Sequence, residues 1–138
     1  MKRILMVAAL AGAVMLAGCS TPVTSSDAKP VPAERVFGYQ AKPQGVDFGT
    51  VVITRDTGFV GGGVAVTVSI DGKQAAALRT GERVTLYVPA GEHILSDSQV
   101  ANTRHDHELI VKAGQVKFYR ISVDAASQST LLTPTLPD

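Results

Sequence analysis

The feature that most restricts the fold of this chain is an alternation of apolar and polar residues between recurring turn signals. Apolar side chains occupy every second position of one segment, at Val64, Val66, Val68 and Ile70. Successive side chains of a strand point to opposite faces of a sheet, so this period predicts a half-buried strand. The dipeptide Asp71-Gly72 follows at once and is typical of a tight hairpin turn.

The same pattern continues along the chain and predicts several more strands. They cover Phe48 to Arg55, Lys73 to Arg79, Val84 to Val88, Glu92 to Leu95, a segment holding Leu109 and Val111, and Val116 to Val123. The first is apolar enough to be central, and the tail from Ser127 can add an edge strand. Strands at this spacing predict an all-β fold, a small antiparallel β-sandwich or barrel-like domain of about 7–8 strands over residues 46–138.

The first 18 residues have the composition of a secretory signal. Met1-Lys2-Arg3 is positively charged, and an apolar run from Ile4 to Ala17 leads to the small residue Gly18. A basic start, an apolar middle and a small-residue cleavage site define such signals. The run is shorter than the roughly 20 residues that a membrane-spanning helix needs.

Leu16-Ala17-Gly18-Cys19 stands at the end of this run and resembles the lipobox of bacterial lipoproteins. That resemblance implies cleavage before Cys19, acylation of its thiol, for example with palmitate, and a mature protein held by lipid at the cell envelope. Ser20 resembles the residue found there in outer-membrane lipoproteins, which favours the periplasmic side of the outer membrane if the host is Gram-negative. The alternative is an ordinary signal peptide or a buried thiol.

Residues 19–45 are expected to be a lipidated start followed by a tether and an arm. Residues 20–33 are rich in Ser, Thr, Pro and Ala and hold few large apolar side chains. Such a segment gains little by burial, so a flexible tether is expected. Glu34 to Tyr39 has three larger apolar side chains and is expected to dock on the domain as a helical turn or an extended arm.

Charge and cysteine content exclude some classes of function. Without Lys2 and Arg3, 11 of the 13 Lys and Arg remain against 12 Asp and Glu. This balance offers no basic surface for nucleic acid or anionic lipid. Because Cys19 is the only cysteine, no intrachain disulfide can form and the core alone must stabilise the domain.

Three segments together carry a second resemblance: Val68 to Lys73, Leu78 to Glu82, and Val84 to His93. They are similar to PEGA-type surface β domains and to a related family of small bacterial lipoproteins of uncharacterised function. The resemblance covers residues 46–123 and extends to Arg55-Asp56 and the glycine-rich residues 58–63. It implies a sandwich-like fold at the cell envelope and no catalytic residues.

The glycine-rich stretch from Thr57 to Gly63 is not expected to bind phosphate. A phosphate loop ends in Gly-Lys-Ser/Thr and opens a helix, whereas a predicted strand follows here. A flexible loop or bulge is the simpler interpretation. Phe59 in this loop, together with Tyr87 and Tyr39, remains a candidate for contact with a ligand or partner, although core packing explains the tyrosines equally well.

The polar cluster that most suggests a binding site in the sequence is His105-Asp106-His107. Histidines at positions i and i+2 share one face of a strand, so His105 and His107 could bind a metal with His93 or Asp97 as a third ligand. Two observations oppose this: Arg104 is a neighbouring cation, and the adjacent residues 101–103 are typical of a loop. Solvated surface histidines are the more common outcome.

The sequence lacks the motifs of an enzyme. It has no Gly-x-Ser-x-Gly elbow, and its carboxylates Asp97, Asp106 and Glu108 have no evident partner. The leading hypothesis is a non-catalytic envelope module that binds a protein partner or assists assembly, without a cofactor. The alternative is a ligand-binding module for a glycan such as peptidoglycan, or for a metal; the absence of Trp weighs against a glycan.

Overall fold

The structure, a computed structural model, describes residues 20–58, 63–99, 103–124 and 126–138. Over these residues the chain forms two β-sheets that pack face to face, so the all-β sandwich predicted from the sequence is confirmed. The expected signal sequence, Cys19 and Phe59 lie outside the described residues. In the part that is described, no helix is long and apolar enough to cross a membrane.

Nine strands and one short 3-10 helix, Ala33–Arg35, make up the described fold. The strands are β1 Lys29–Pro30, β2 Phe48–Arg55, β3 Val66–Ile70, β4 Lys73–Leu78, β5 Glu82–Pro89, β6 Gly91–Ser98, β7 Arg104–Val111, β8 Val116–Val123 and β9 Thr130–Thr135. One sheet has the order β1-β5-β2-β8-β9 and the other the order β4-β3-β6-β7. We call them the five-stranded and the four-stranded sheet.

The first predicted strand has the predicted bounds and the predicted central position. β2 pairs antiparallel with β5 on one side, as the sequence leads one to expect, but parallel with β8 on the other. Parallel neighbours need a long crossover connection. Here the connection includes the whole four-stranded sheet and β5, which lie between β2 and β8 in the chain. The antiparallel expectation is therefore corrected at this pair.

The β3–β4 hairpin follows from its sequence. Val66, Val68 and Ile70 are fully buried, and the chain turns at Asp71 and Gly72. Both turn residues have positive φ, 52° and 77°, as a type I′ turn requires. Val64, predicted to belong to the same strand, lies before it and is exposed.

The core fills the space between the two sheets. It consists mainly of the alternate, inward-facing residues of each strand. Those that are fully buried include Val51, Ile53, Val66, Val68, Ile70, Leu78, Leu86, Val88, Leu95, Leu109 and Ile121. Most are Val, Ile and Leu, whose branched side chains fit a pleated surface. Because the chain has one cysteine and can form no intrachain disulfide, burial of these apolar side chains must stabilise the fold.

Residues 20–31, which we call the N-terminal strap, lie against the domain where the sequence suggested a flexible tether. The guanidinium groups of Arg83 and Arg120 donate to the carbonyl oxygens of Ser25 and Val23. Further along, β1 adds a short parallel edge to β5. Hydrogen bonds to the main chain hold this segment, and its composition could not reveal them because the donors belong to distant strands.

The arm after the strap docks as expected. The Arg35 guanidinium binds both carboxylate oxygens of Glu82, at 2.6 and 2.7 Å, and also donates to the carbonyl of Ala77. Val36 then forms a β-bridge with Ala76. The arm thus covers the outer edge of β4, which a neighbouring chain could otherwise extend.

Candidate functional site

A groove of about 310 Å³ lies between the arm and the end of β5. Its lining includes Phe37, Tyr39, Pro43, Lys73, Gln74 and Tyr87, and we call it the aromatic groove. Two of the three tyrosines of the chain lie here. Tyr87 was a candidate contact residue from the sequence, and the structure brings it together with Tyr39.

A main-chain hydrogen bond joins the two tyrosines. The amide of Tyr87 donates to the carbonyl oxygen of Tyr39 at 2.7 Å. Tyr39 has φ 62°, a left-handed conformation that bulky residues seldom adopt, and its hydroxyl donates to the carbonyl of Ile70 at 3.4 Å. Burial, with a smaller contribution from the Asp71 carboxylate, raises the pKa of Tyr39. Tyr39 is thus held through its main chain and through its hydroxyl.

The ring of Tyr87 is positioned by two further contacts. Phe48 meets it edge to face, with ring centroids 5.9 Å apart and planes at 86°. The ammonium nitrogen of Lys42 lies 5.6 Å from the Tyr87 centroid, within the range of a cation–π contact. The groove therefore presents aromatic rings together with the cationic Lys73, and Lys42 adds a second cation over the Tyr87 ring.

A second polar site lies between the sheets at Asp97, whose side chain is fully buried. Its oxygens lie 3.2 Å from Nδ1 of His105 and 3.0 Å from Nε2 of His107. Thr130 Oγ1 donates to the same carboxylate from the other sheet. The two histidines belong to β7 and share its inward face.

His93 does not join this group. It shares a face of β6 with Asp97 but stands four residues away, about 13 Å along a strand. Its ring nitrogens contact the Asp71 carboxylate and the carbonyl of Pro89, both at 2.7 Å. Within the described ranges, no group of three or more His, Cys, Asp or Glu residues is arranged to hold a metal ion.

Asp106, on the opposite face of β7, has partners of its own. Its Oδ1 accepts from Arg104 Nε at 2.6 Å and from Ser96 Oγ at 2.7 Å. The sequence had suggested that the carboxylates of this region stand alone. Asp97 and Asp106 correct that expectation, because each is paired across neighbouring strands or sheets.

Arg55 and Asp56 lie where the strap begins. Arg55, almost fully buried, donates through Nη1 to the carbonyls of Val64 and Leu78, at 2.7 and 2.8 Å, and burial lowers its pKa. Burial also raises the pKa of Asp56, although the ion pair with Arg120 at 3.1 Å acts in the opposite direction. The cavity beside them holds about 10 Å³, the scale of a single water molecule.

Sequence reasoning missed several residues of these sites. Leu95 and Asp97 alternate on one strand, so the buried position of Asp97 could have been inferred from the burial of Leu95. Nothing local points to Thr130 as its partner, or to Phe37, Lys42, Lys73 and Gln74 as neighbours of Tyr87. These contacts join segments that only the tertiary fold brings together.

No family model matches the chain, and no curated protein matches it at a significant level. The interpretation of its sites therefore depends on their geometry.

Proposed function

We propose that this protein is a lipid-anchored, non-catalytic module of the bacterial cell envelope, and that its β-sandwich binds another envelope component. One observation carries the proposal: the strap places the residue after Cys19 at one end of the sandwich, while the aromatic groove opens towards the other end. The lipobox resemblance supports the anchor, and the groove supports binding.

The anchor end is defined by the first described residues. The Ser20 hydroxyl lies 3.4 Å from Oδ2 of Asp56, and Thr21 forms an antiparallel bridge with Thr57. Cys19 directly precedes Ser20 in the sequence. Acyl chains on Cys19 would therefore enter the bilayer beside Asp56, with no free tether between lipid and domain. Two or more chains give stable attachment.

The groove lies well away from this end. β5 begins next to the anchor end, where the amide of Gly81 donates to the carbonyl of Arg55, and it finishes at Pro89 beside the groove. An eight-residue strand spans about 23 Å. A domain anchored through Cys19 would hold the groove roughly that far along the sandwich from the lipid, where soluble envelope components can reach it.

The polar sites support a role other than catalysis. The Asp97 carboxylate is fully buried, the hollow that His105 and Thr130 line beside it holds about 130 Å³, and the cavity beside Arg55 and Asp56 holds about 10 Å³. Both volumes are below those typical of small-molecule sites. An active site needs reactive groups that face a concave space. The aromatic groove has the space but offers tyrosine, lysine and glutamine instead of a nucleophile with its base.

Metabolic labelling with an alkyne-bearing fatty acid tests the anchor. We expect wild-type protein to carry the label and to sediment with membranes, and Cys19→Ala to lose both properties. Ser20→Ala is the matched control, because it changes the neighbouring residue and leaves the acylated thiol in place. Equal labelling of Cys19→Ala and wild type would reject the lipoprotein assignment.

Crosslinking in living cells tests the binding function. A photoreactive residue replacing Gln74 in the groove is compared with one replacing Lys29 at the anchor end. A specific product at position 74 alone supports a binding groove. Equal products at both positions, or none at either, would argue against it.

A further inference from the structure

We propose that the aromatic groove binds a sugar ring that carries a carboxylate, the repeating element of an acidic envelope glycan. This inference rests on the proposed function, since it names the class of component that the anchored module would hold.

The size of the groove favours a small ligand. At about 310 Å³ it stands at the lower end of the volumes typical of small-molecule sites. A sugar ring and its substituents fit such a volume, whereas a folded partner would need a far larger contact area. Lys73 and Gln74 belong to β4, an edge strand of its sheet, but the arm is already bonded to that edge at Ala75 and Ala76 and so hinders strand addition there.

The rings of the lining match the apolar face of a sugar. Aromatic faces carry partial negative charge, and the axial C–H bonds of a pyranose carry partial positive charge, so the two surfaces attract when stacked. Tyr39, Tyr87 and Phe37 supply rings from the arm and from β5, and Phe37 is half exposed. Gln74 adds an amide that can donate to and accept from sugar hydroxyls.

The charges of the groove favour an acidic sugar over a neutral one. Lys73 lines it, and Lys42 stands over the Tyr87 ring, whereas no acidic residue is among the described residues that line it. Asp71 is the carboxylate close enough to act on Tyr39. Its oxygens bond to His93 and to the amide of Ile94 at 2.9 Å, and these partners offset part of its negative charge.

The backbone supports the same assignment. Tyr39 is kept at φ 62° by its hydrogen bonds to Tyr87 and Ile70, and residues in such rare conformations cluster where ligands are held. A ring that is fixed before binding loses little conformational freedom when a ligand arrives, which lowers the entropic cost of association.

Tyrosine-selective ring ¹³C labelling of the full-length lipidated protein in detergent micelles gives a direct test. The probe is the disaccharide of N-acetylglucosamine and N-acetylmuramic acid, and the neutral chitin disaccharide is its matched control. We expect the signals of Tyr39 and Tyr87 to shift on titration while Tyr119, buried in the core, stays in place. An unshifted, dispersed Tyr119 signal also shows that the fold is intact.

Single substitutions distinguish the contribution of ring stacking to sugar affinity from the contribution of positive charge. Tyr87→Ala should weaken binding by about tenfold and Tyr87→Phe only slightly, because the ring supplies the contact. Lys73→Gln, on an exposed side chain, should reduce the preference for the acidic disaccharide, and Lys42 accounts for what remains. Lys29→Gln makes the same change at the anchor end and should leave affinity unaltered.

Three results would overturn the proposal: no shift at Tyr39 and Tyr87, affinity unchanged by Tyr87→Ala, or equal binding of the neutral disaccharide. A proline-rich peptide that shifts the same signals while the sugar does not would also overturn it. If the acidic disaccharide does not bind but fatty-acid labelling is normal, only the sugar site is rejected. Loss of labelling with intact sugar binding rejects only the anchor.

Discussion

The buried carboxylate of Asp97 accepts a hydrogen bond from Thr130 across the two sheets of the sandwich. Asp97 belongs to β6 in the four-stranded sheet and Thr130 to β9 in the five-stranded sheet. The contact therefore ties the last strand of the chain to the opposite layer, and it places a charged group where an apolar one would be usual.

Removing either partner should weaken the fold. We expect Asp97→Ala to cost about 2 to 3 kcal/mol, because Thr130 and the two partly exposed histidines lose a common acceptor. Thr130→Val should cost about 1.5 to 3 kcal/mol. Urea denaturation of both single variants and the double variant measures their coupling. Glu108→Ala, an exposed change on the neighbouring strand β7, should leave the midpoint nearly unchanged. Strictly additive effects would show that the two residues do not interact.

Arg55 should be among the most sensitive positions in the domain. Arg55→Met keeps much of the buried volume but leaves the carbonyls of Val64 and Leu78 without their donor. We expect a loss of about 2 to 5 kcal/mol in the free energy of unfolding. Arg79→Met, on an exposed side chain, should stay within about 0.5 kcal/mol. A similar small effect at Arg55 would mean that its hydrogen bonds contribute little.

The pair of His93 and Asp71 should make stability depend on pH. Burial lowers the pKa of His93, but its hydrogen bonds to Asp71 and Pro89 outweigh burial, so the pKa is raised above its ordinary value. The hydrogen bond from His93 lowers the pKa of Asp71. A histidine whose pKa is raised in the folded state stabilises the fold below its ordinary pKa of about 6.5 and loses this effect as pH rises. An aspartate whose pKa is lowered in the folded state stabilises the fold above about pH 4 and loses this effect as pH falls.

The contribution of the pair is therefore greatest between about pH 4 and 6.5. We expect His93→Gln to cost about 0.5 to 1 kcal/mol near pH 5.5, a value reduced because Asp71 is half exposed, and less at pH 8. Thermal unfolding at both pH values measures the difference. A cost that grows from pH 5.5 to pH 8 would contradict the assignment.

Much of the fold is encoded in local patterns, and the sites are not. The alternation around Val66 and the Asp71-Gly72 turn predicts a hairpin, and the apolar run from Phe48 predicts a central strand, because these signals arise from neighbouring residues. The parallel pairing of β2 with β8 and the link from Asp97 to Thr130 join residues far apart in sequence. No local preference specifies them.

The docking of the strap is likewise not predictable from its own sequence. Its sequence is that of a flexible linker, yet Arg83 and Arg120 hold its carbonyls from two different strands. Whether this segment is free or docked on the sandwich thus depends on residues that it does not itself contain, these two arginines among them.

Arg120 should control the order of the strap. Arg120→Met removes the donor to Val23 and the ion pair with Asp56. We expect the amide of Thr21, bonded to the carbonyl of Thr57, to exchange about tenfold faster. The amide of Val31, bonded to the carbonyl of Arg83, should be unaffected and serves as the internal control. Fast exchange of Thr21 in the wild-type protein would mean that the strap is not docked.

The late position of β8 in the sequence, as the parallel partner of β2, also determines when the five-stranded sheet can form. Thr50 pairs with Val116, more than sixty residues later, so the central strand lacks one neighbour until β8 exists. Contacts between such distant segments form slowly because a long loop must close first. The five-stranded sheet can therefore be completed only when the C-terminal strands β8 and β9 are available, however early the residues before them begin to fold.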